Sequence, residues 1–250
     1  MYTDTVSFFE QPAFFVAVVV LGVLVAAGIT YEIMRHKART LHTKEQAQRK
    51  KMLQSLTAIA NATDVNDEYT DGHSRRVAAY SAEISRRMGM DNEFIENIYY
   101  IGLLHDVGKI GIATEIIKKL GKLTDDEYES IKLHTTIGYE IVKDVTAIPG
   151  LVEGVSQHHE RWDGKGYHQG LEGEDIALTA RIIAIADAYD AMASERSYRT
   201  ALSKNVIMQE LEDCAGLQFD PHIASIVGEL VENGVFEGID SEKYFLTNEL

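Results

Sequence analysis

Hydrophobic and polar positions divide the chain into one uninterrupted apolar segment and a longer region of amphipathic pattern. The 21 residues between Glu10 and Glu32 carry no charge and are mainly Phe, Val, Ala, Leu and Ile. An α-helix of this length can cross a hydrocarbon layer of about 30 Å. The pattern predicts a transmembrane helix over residues 13–34 and a short extracytoplasmic segment, 1–12. A cleaved signal peptide would have a basic start and a shorter apolar stretch, and a buried core helix is the remaining alternative.

Charge predicts the orientation of this helix. The residues before Arg35 include three acids and no Lys or Arg, whereas residues 35–51 carry seven basic side chains against one acid. The positive-inside rule then places the amino terminus outside and everything after Arg35 in the cytoplasm. The basic juxtamembrane segment 35–51 is also suited to contact anionic headgroups. The net charge of −15 argues against non-specific DNA binding.

Residues 37–63 are predicted to form a helical stalk. Their second half has apolar residues at spacings of three and four, namely Met52, Leu53, Leu56, Ile59 and Ala60. Two turns of such a stripe are too short to define a coiled coil. Packing of the stripe onto the following domain is therefore favoured, and a homodimer through the stalk is the alternative.

Residues 52–250 predict an all-α domain, since no long segment alternates with a period of two. Thr124 followed by Glu127 is a capping-box pattern, Asp71 and Asp91 are candidate N-caps, and Gly89 suits a helix end. One helix is expected to start after Asp91, and the others are expected over residues 71–87, 124–145, 150–160, 176–194, 203–215 and 221–232. Three prolines and a single Asn-Gly pair, at 233–234 just after a predicted helix, argue against a β-sandwich, and one cysteine excludes a disulfide scaffold.

Several ionisable residues occupy positions where apolar side chains are expected. His105 and Asp106 follow the apolar run 99–104, and Asp187 lies inside an almost wholly apolar helix with Asp190 three residues on. Burying such groups unpaired would cost several kcal/mol, which a bound cation would offset. Further histidines with a similar setting are His73, His134, His158 and His159. Imidazoles and carboxylates without thiolates are typical ligands of Fe, Mn or Zn hydrolytic centres.

Two of these groups match known sequence signatures. The pair His105-Asp106 resembles the doublet that names the HD phosphohydrolases, and residues 158–167 resemble the HHExxDGxGYP signature of their HD-GYP subfamily. The resemblance covers roughly Met52 to Glu232, with the motifs in order. It implies an HD-type helical bundle with the extended HD-GYP helices in a bacterial protein, so the predicted anchor would lie in the inner membrane. The activity it implies is metal-dependent hydrolysis of the second messenger cyclic di-GMP to pGpG or onward to GMP.

The resemblance also implies a role for individual residues. One metal would be held by His73, His105, Asp106 and Asp187, and Asp106 would bridge to a second metal held by His134, His158 and His159. The implied cofactors are two divalent transition-metal ions, Fe or Mn. Asp106 and Lys109 are the predicted catalytic residues, because an ammonium one turn after Asp106 can neutralise charge that develops on a phosphoryl group. The predicted substrate contacts are Lys109, Tyr167, Asp190, Arg196 and Arg199.

Three positions depart from the family pattern. Some relatives bind a third metal partly through a Glu four residues before the first histidine, and this chain has Tyr69 there. A phenol is a poorer ligand than a carboxylate, so a dinuclear site is predicted. The alternative is that Tyr69 packs over the site and that Glu68 or Asp67 supplies the missing ligand. His168 stands where the signature has Pro, and Ala113 stands where Pro is usual. The loss of Pro at 168 would affect substrate positioning more than chemistry.

The sequence therefore predicts a membrane-anchored cyclic di-GMP phosphodiesterase. One alternative is a catalytically weak receptor or docking module that binds the dinucleotide or a partner protein. The other is an HD phosphohydrolase that acts on a different cyclic dinucleotide.

Overall fold

The computed structural model describes residues 12–64, 72–119, 121–195, 200–242 and 244. In these ranges the regular elements are helices, apart from one isolated bridge between Ala215 and Phe219. The all-α class predicted from the hydrophobic pattern is confirmed. The α-helices are α1 (Pro12–Asp64), α2 (His73–Arg87), α3 (Asn92–Leu104), α4 (Thr114–Ile117), α5 (Asp125–Val142), α6 (Leu151–Gln157), α7 (Leu178–Ala193), α8 (Lys204–Cys214) and α9 (Pro221–Glu232).

The chain divides into two compact units, Met1–Met52 and Leu53–Leu250. In the first unit, α1 contains a window that is long and apolar enough to cross a membrane, and no residue of that window is buried. Large side chains such as Phe15, Val19 and Leu24 are more than 60% exposed. This exposure is what a lipid-facing helix would show, and it disfavours the alternative of a helix buried in a protein core.

Helix ends in the second unit follow local capping chemistry. The Asp91 carboxylate accepts the Phe94 N–H at 2.8 Å, and Thr124 with Glu127 forms the complete capping box. Gly89 has φ of +78°, the left-handed conformation that glycine adopts after a helix. These three predictions are confirmed, whereas Asp71, the predicted cap of α2, lies outside the described residues.

Two predicted helices end three residues early in the structure. α5 ends at Val142 rather than at Val145, where a tight turn bonds the Val145 N–H to the Val142 carbonyl. α6 ends at Gln157 rather than at residue 160, because the Glu160 N–H turns back to the Gln157 carbonyl at 2.8 Å. The consequence is that His158 and His159 lie in a turn and not on a helix face.

The core of the second unit forms where α2, α3, α6 and α7 pack together. Gly102 allows α3 to lie close against α2, since a Cβ at this position would be 2.5 Å from the Ala78 Cα. At the end of α1, Ala60, Thr63 and Asp64 are buried while Ile59 is 44% exposed. Within the stalk stripe, Met52, Leu53 and Leu56 are partly buried and only Ala60 is fully buried.

Candidate metal centre

The predicted metal ligands come from several helices but meet in one place. They lie at the start of α2 (His73), after α3 (His105 and Asp106), in α5 (His134), after α6 (His158 and His159) and in α7 (Asp187). Ligand atoms of His73, His105 and Asp106 lie within 4.8 Å of one another, and the same holds for His134, His158 and His159. The structure thus brings together two clusters that are able to hold a metal ion.

Asp106 lies between the two clusters, with one oxygen facing each. Its Oδ2 is 3.3 Å from His105 Nε2 and 3.9 Å from His73 Nε2. Its Oδ1 is 3.5 Å from His134 Nε2 and 3.9 Å from His158 Nε2. A carboxylate in this arrangement is placed to bridge two cations.

Asp187, the remaining predicted ligand, adjoins the first cluster, and ring contacts hold the second cluster together. Asp187 Oδ1 lies 3.3 Å from His73 Nε2, which places it with the first cluster. The ring of His159 lies 5.0 Å from that of His134 and 4.2 Å from that of His158, measured between centroids.

Local backbone groups fix the tautomer of three histidines. The Nδ1–H of His105, His134 and His158 donates in each case to the carbonyl three residues earlier, at 2.8, 2.7 and 2.9 Å. The Nε2 lone pair of each ring is therefore directed into the site, as metal ligation requires. The Nε2 of His105 is buried and has no hydrogen-bond partner among the described residues. A bound cation would satisfy it.

Burial favours the neutral form of the three histidines in the second cluster. Burial lowers the pKa of His134, lowers that of His158 well below its ordinary value, and lowers that of His159 to about 4. These rings are neutral at pH 7, and neutral imidazole is the form that binds metal.

In the first cluster, the effect of nearby charges on the pKa values outweighs the effect of burial. Burial opposes the charge on His105, but the adjacent Asp106 carboxylate outweighs it and raises the His105 pKa to about 9. Burial would raise the pKa of Asp106, yet the Lys109 ammonium and the His105 ring hold it well below its ordinary value. Asp106 is therefore ionised at pH 7, and metal would displace a proton from His105.

Asp190 is buried behind His73 and not in contact with the cavity that adjoins the ligands. One of its oxygens accepts from His73 Nδ1 at 2.8 Å, and the Arg76 guanidinium donates to both oxygens at 2.6 and 3.0 Å. Burial opposes its ionisation, but these two partners lower the pKa to about 2. This carboxylate orients the His73 ring, a role that differs from the substrate contact predicted for it. No role was predicted for Arg76. Its position one turn after His73 on α2 could have indicated that the two side chains share a partner.

A second contact that sequence reasoning missed holds the first turn of α2. The Ser74 hydroxyl donates to Asp64 at 2.6 Å, and the Ser74 N–H donates to the other oxygen of that carboxylate at 3.3 Å. Both side chains are buried. The last turn of α1 therefore fixes the backbone next to His73.

Lys109 lies on the short 3₁₀ turn Val107–Gly111, with its Nζ 2.7 Å from Asp106 Oδ2. The turn fits against α5 because residue 108 has no side chain. A Cβ on Gly108 would lie 1.9 Å from the His134 carbonyl oxygen. The distance between the Asp106 turn and His134 thus depends on this glycine.

Glu160 organises the glycine-rich loop that follows the two histidines. Its buried carboxylate accepts the backbone N–H groups of residues 169, 170 and 171 at 2.6, 3.1 and 3.2 Å. The loop places the Tyr167 ring in a stack on His159, with centroids 4.9 Å apart. Burial raises the pKa of the Tyr167 phenol, which stays neutral.

A cavity of about 590 Å³ adjoins the metal ligands. His158, His159 and Asp187 contribute to its wall, and Tyr128, Tyr167 and Lys165 line other parts of it. The predicted substrate contacts Arg196 and Arg199, and Tyr69 of the suggested third metal position, lie outside the described residues.

An all-α chain that gathers imidazoles and carboxylates into two clusters around one shared aspartate is built to bind metal ions. The chain belongs to the HD domain family, whose pattern matches residues 37–223. The structure resembles a cyclic GMP-AMP specific phosphodiesterase of Vibrio cholerae, with a TM-score of 0.60 and 19% identity over 76% of this chain and 52% of that one. This likeness concerns the fold.

Curated relatives have closer sequences. A cyclic di-GMP phosphodiesterase of Thermotoga maritima is 37% identical over 175 residues, which is 69% of this chain and 47% of that protein. A 3'3'-cGAMP-specific phosphodiesterase 1 of Vibrio cholerae is 38% identical over 60% of this chain and 35% of that protein. The chain thus spans about half or less of the length of these relatives.

Proposed function

We propose that this chain is a membrane-anchored, metal-dependent phosphodiesterase that hydrolyses cyclic di-GMP to pGpG. The observation that carries the proposal is the position of Asp106 between two ligand clusters, beside a cavity large enough for a ligand of several hundred daltons. The named activity of the Thermotoga maritima relative supports the choice of substrate.

Two divalent ions, Fe or Mn, would supply Lewis-acid stabilisation of the phosphate and an activated water. The first ion would be held by His73, His105 and Asp187, the second by His134, His158 and His159, and Asp106 would serve both. Asp190 and the local carbonyls hold the rings in position while they do so.

Lys109 is the proposed cation for the reacting phosphate. Its ammonium already lies against Asp106 at 2.7 Å, so a phosphodiester bound at the metal ligands would come within its reach. There it would stabilise negative charge that develops on the phosphoryl oxygens. Tyr167, stacked on His159 at the cavity wall, is placed to contact the rest of the substrate.

Metal number and product test this function together. Full-length protein purified in detergent is expected to hold about two transition-metal ions per chain, because Tyr69 supplies no carboxylate to a third. The linear product carries a terminal phosphate with an extra charge that a third ion would help to hold, so pGpG is expected to accumulate. Elemental analysis and product chromatography measure both. Near three metals per chain, or GMP as the main early product, would refute the dinuclear proposal, and no hydrolysis by metal-loaded protein would refute the function.

A second candidate substrate is 3'3'-cGAMP. The Vibrio cholerae relatives that carry this name are 34–38% identical to the chain, as similar as those named for cyclic di-GMP. Both dinucleotides contain guanine and two phosphodiesters, so the same assay with each as substrate separates the candidates.

The anchor and its orientation are part of the proposal. The apolar window of α1 would span the bacterial inner membrane, and the basic juxtamembrane segment 35–51 would hold the catalytic domain, 52–250, in the cytoplasm. A homodimer through residues 37–63 stays a prediction.

Fusions at Leu250 test this topology. A green fluorescent protein fusion is expected to be fluorescent and an alkaline phosphatase fusion inactive, since the latter enzyme matures only in the periplasm. Both are measured in whole cells. Strong phosphatase activity with a dark fluorescent fusion would reverse the proposed orientation.

A further inference from the structure

One wall of the cavity is formed by the face of α7 that also carries Asp187. Three alanines of α7 line the cavity. Ala184 lies three residues before Asp187, and Ala188 and Ala191 lie one and four residues after it. Met192 lines it as well. Alanine side chains leave room for a flat group to lie along the helix. A planar, weakly polar ligand such as a nucleobase therefore fits beside the metal ligands.

A carboxylate from α8 also faces this cavity. Glu210 and Cys214, one turn apart, both line it. Burial raises the pKa of the Cys214 thiol and the charge of Glu210 adds to this effect, which places the carboxylate near that thiol. Glu210 has no hydrogen bond or ion pair in the part of the chain that the structure describes.

The two basic residues in the described lining of the cavity, Arg161 and Lys165, both pair with Asp163. Arg161 donates to Asp163 at 3.0 Å, and Lys165 lies 3.6 Å from the same carboxylate. Glu210 is exposed to water in this structure, and a dianionic substrate that fills the cavity would displace part of that water. This exchange is unfavourable unless the substrate offers the carboxylate hydrogen-bond donors in place of the water. This requirement limits which part of a cyclic dinucleotide can lie against Glu210.

Guanine meets the requirement better than any other part of the substrate. Its N1–H and N2 amino group are adjacent donors that match the two oxygens of a carboxylate. Adenine presents a lone pair at N1, which a carboxylate repels, and a ribose offers one hydroxyl. Building on the proposed function, we propose that Glu210 binds the Watson–Crick edge of a guanine in this cavity and is the residue that selects guanine over adenine.

A substitution at Glu210 should change base preference and leave phosphodiester chemistry intact. Glutamine has nearly the shape of glutamate, but its amide accepts one hydrogen bond and donates another, a pattern that suits adenine N6 and N1. Full-length Glu210→Gln is expected to show a ratio of kcat/KM for cyclic di-GMP over cyclic di-AMP that is about tenfold to a hundredfold lower than wild type. Hydrolysis of bis(4-nitrophenyl) phosphate, which has no base, is expected to show no comparable loss.

The matched control is Glu212→Gln. Glu212 is exposed on the same helix and does not line the cavity, so its substitution removes the same charge without touching the proposed base site. This variant is expected to keep the wild-type ratio. Equilibrium binding of both dinucleotides to metal-loaded protein, by calorimetry, measures the preference independently of turnover.

The outcomes separate the two proposals. Equal losses on both dinucleotides, an unchanged ratio, or the same change in Glu212→Gln would overturn guanine selection while the phosphodiesterase function stands. A wild type that binds cyclic di-GMP without cleaving it, and loses its preference in Glu210→Gln, would support guanine selection and overturn the proposed function. A wild type that neither binds nor cleaves either dinucleotide would overturn both.

Discussion

Asp106→Ala is expected to remove metal and activity together. Both oxygens of Asp106 are engaged, one toward each ligand cluster, so the substitution takes a ligand from two ions at once. It also leaves several buried imidazoles without their shared anion. We expect fewer than two metals per chain and a loss of turnover of at least about a thousandfold, since bound ions provide several kcal/mol of transition-state stabilisation. Elemental analysis and hydrolysis of cyclic di-GMP measure the two effects.

Lys109→Ala is the matched control for this experiment. Its ammonium contacts the same carboxylate at 2.7 Å but is not a metal ligand. The variant is expected to keep its metal and to lose about a hundredfold to a thousandfold in kcat, as when one stabilising donor is removed from an active site. If Asp106→Ala kept two metals and normal turnover, the bridging assignment would be wrong. If Lys109→Ala lost its metal, this lysine would have a structural role instead.

Gly108→Ala is expected to damage the metal centre although residue 108 binds nothing itself. Its Cβ would lie 1.9 Å from the His134 carbonyl oxygen and 2.5 Å from the Gly138 N, so the turn that carries Asp106 must move away from α5. A displacement of about 1 Å costs on the order of a hundredfold in rate. The overpacked contact is expected to destabilise the fold by about 1–3 kcal/mol.

Gly111→Ala provides the comparison for this effect. It lies in the same 3₁₀ turn, but its Cβ would meet only the Ile137 side chain, at 3.0 Å, which is able to shift. Metal titration, Tm and turnover are to be measured for both variants. Equal metal affinity and turnover in Gly108→Ala and wild type would contradict the idea that this close approach sets the site geometry.

Local sequence patterns predicted much of the fold because helix ends depend on neighbours in the chain. The caps at Asp91 and Thr124 and the left-handed Gly89 use groups within a few residues of each other. The early end of α6 was not predicted. A hydrogen bond that closes a turn at Glu160 and a hydrogen bond that continues the helix are both compatible with the same apolar period.

For the candidate site, the residue types indicated imidazole and carboxylate ligands, and the resemblance to HD-GYP proteins implied the grouping of the histidines with Asp106. Even the tautomers of His105, His134 and His158 have a local origin, since each ring bonds to a carbonyl three residues earlier. The assignment of Asp190 to substrate was different. Its partner His73 lies 117 positions away, and spacing within α7 carries no information about that contact.

The sequence by itself determined the all-α class, the apolar window in α1 and the chemical nature of the metal ligands, because these depend on hydrophobic period, length and residue type. Only the tertiary structure decided that the two Asp106 oxygens face different clusters, that Asp190 stands behind His73, and that Glu210 shares a cavity with Asp187. The reason is physical. Side-chain direction and burial at a helix end are set by the helices packed against it, which come from distant parts of the chain.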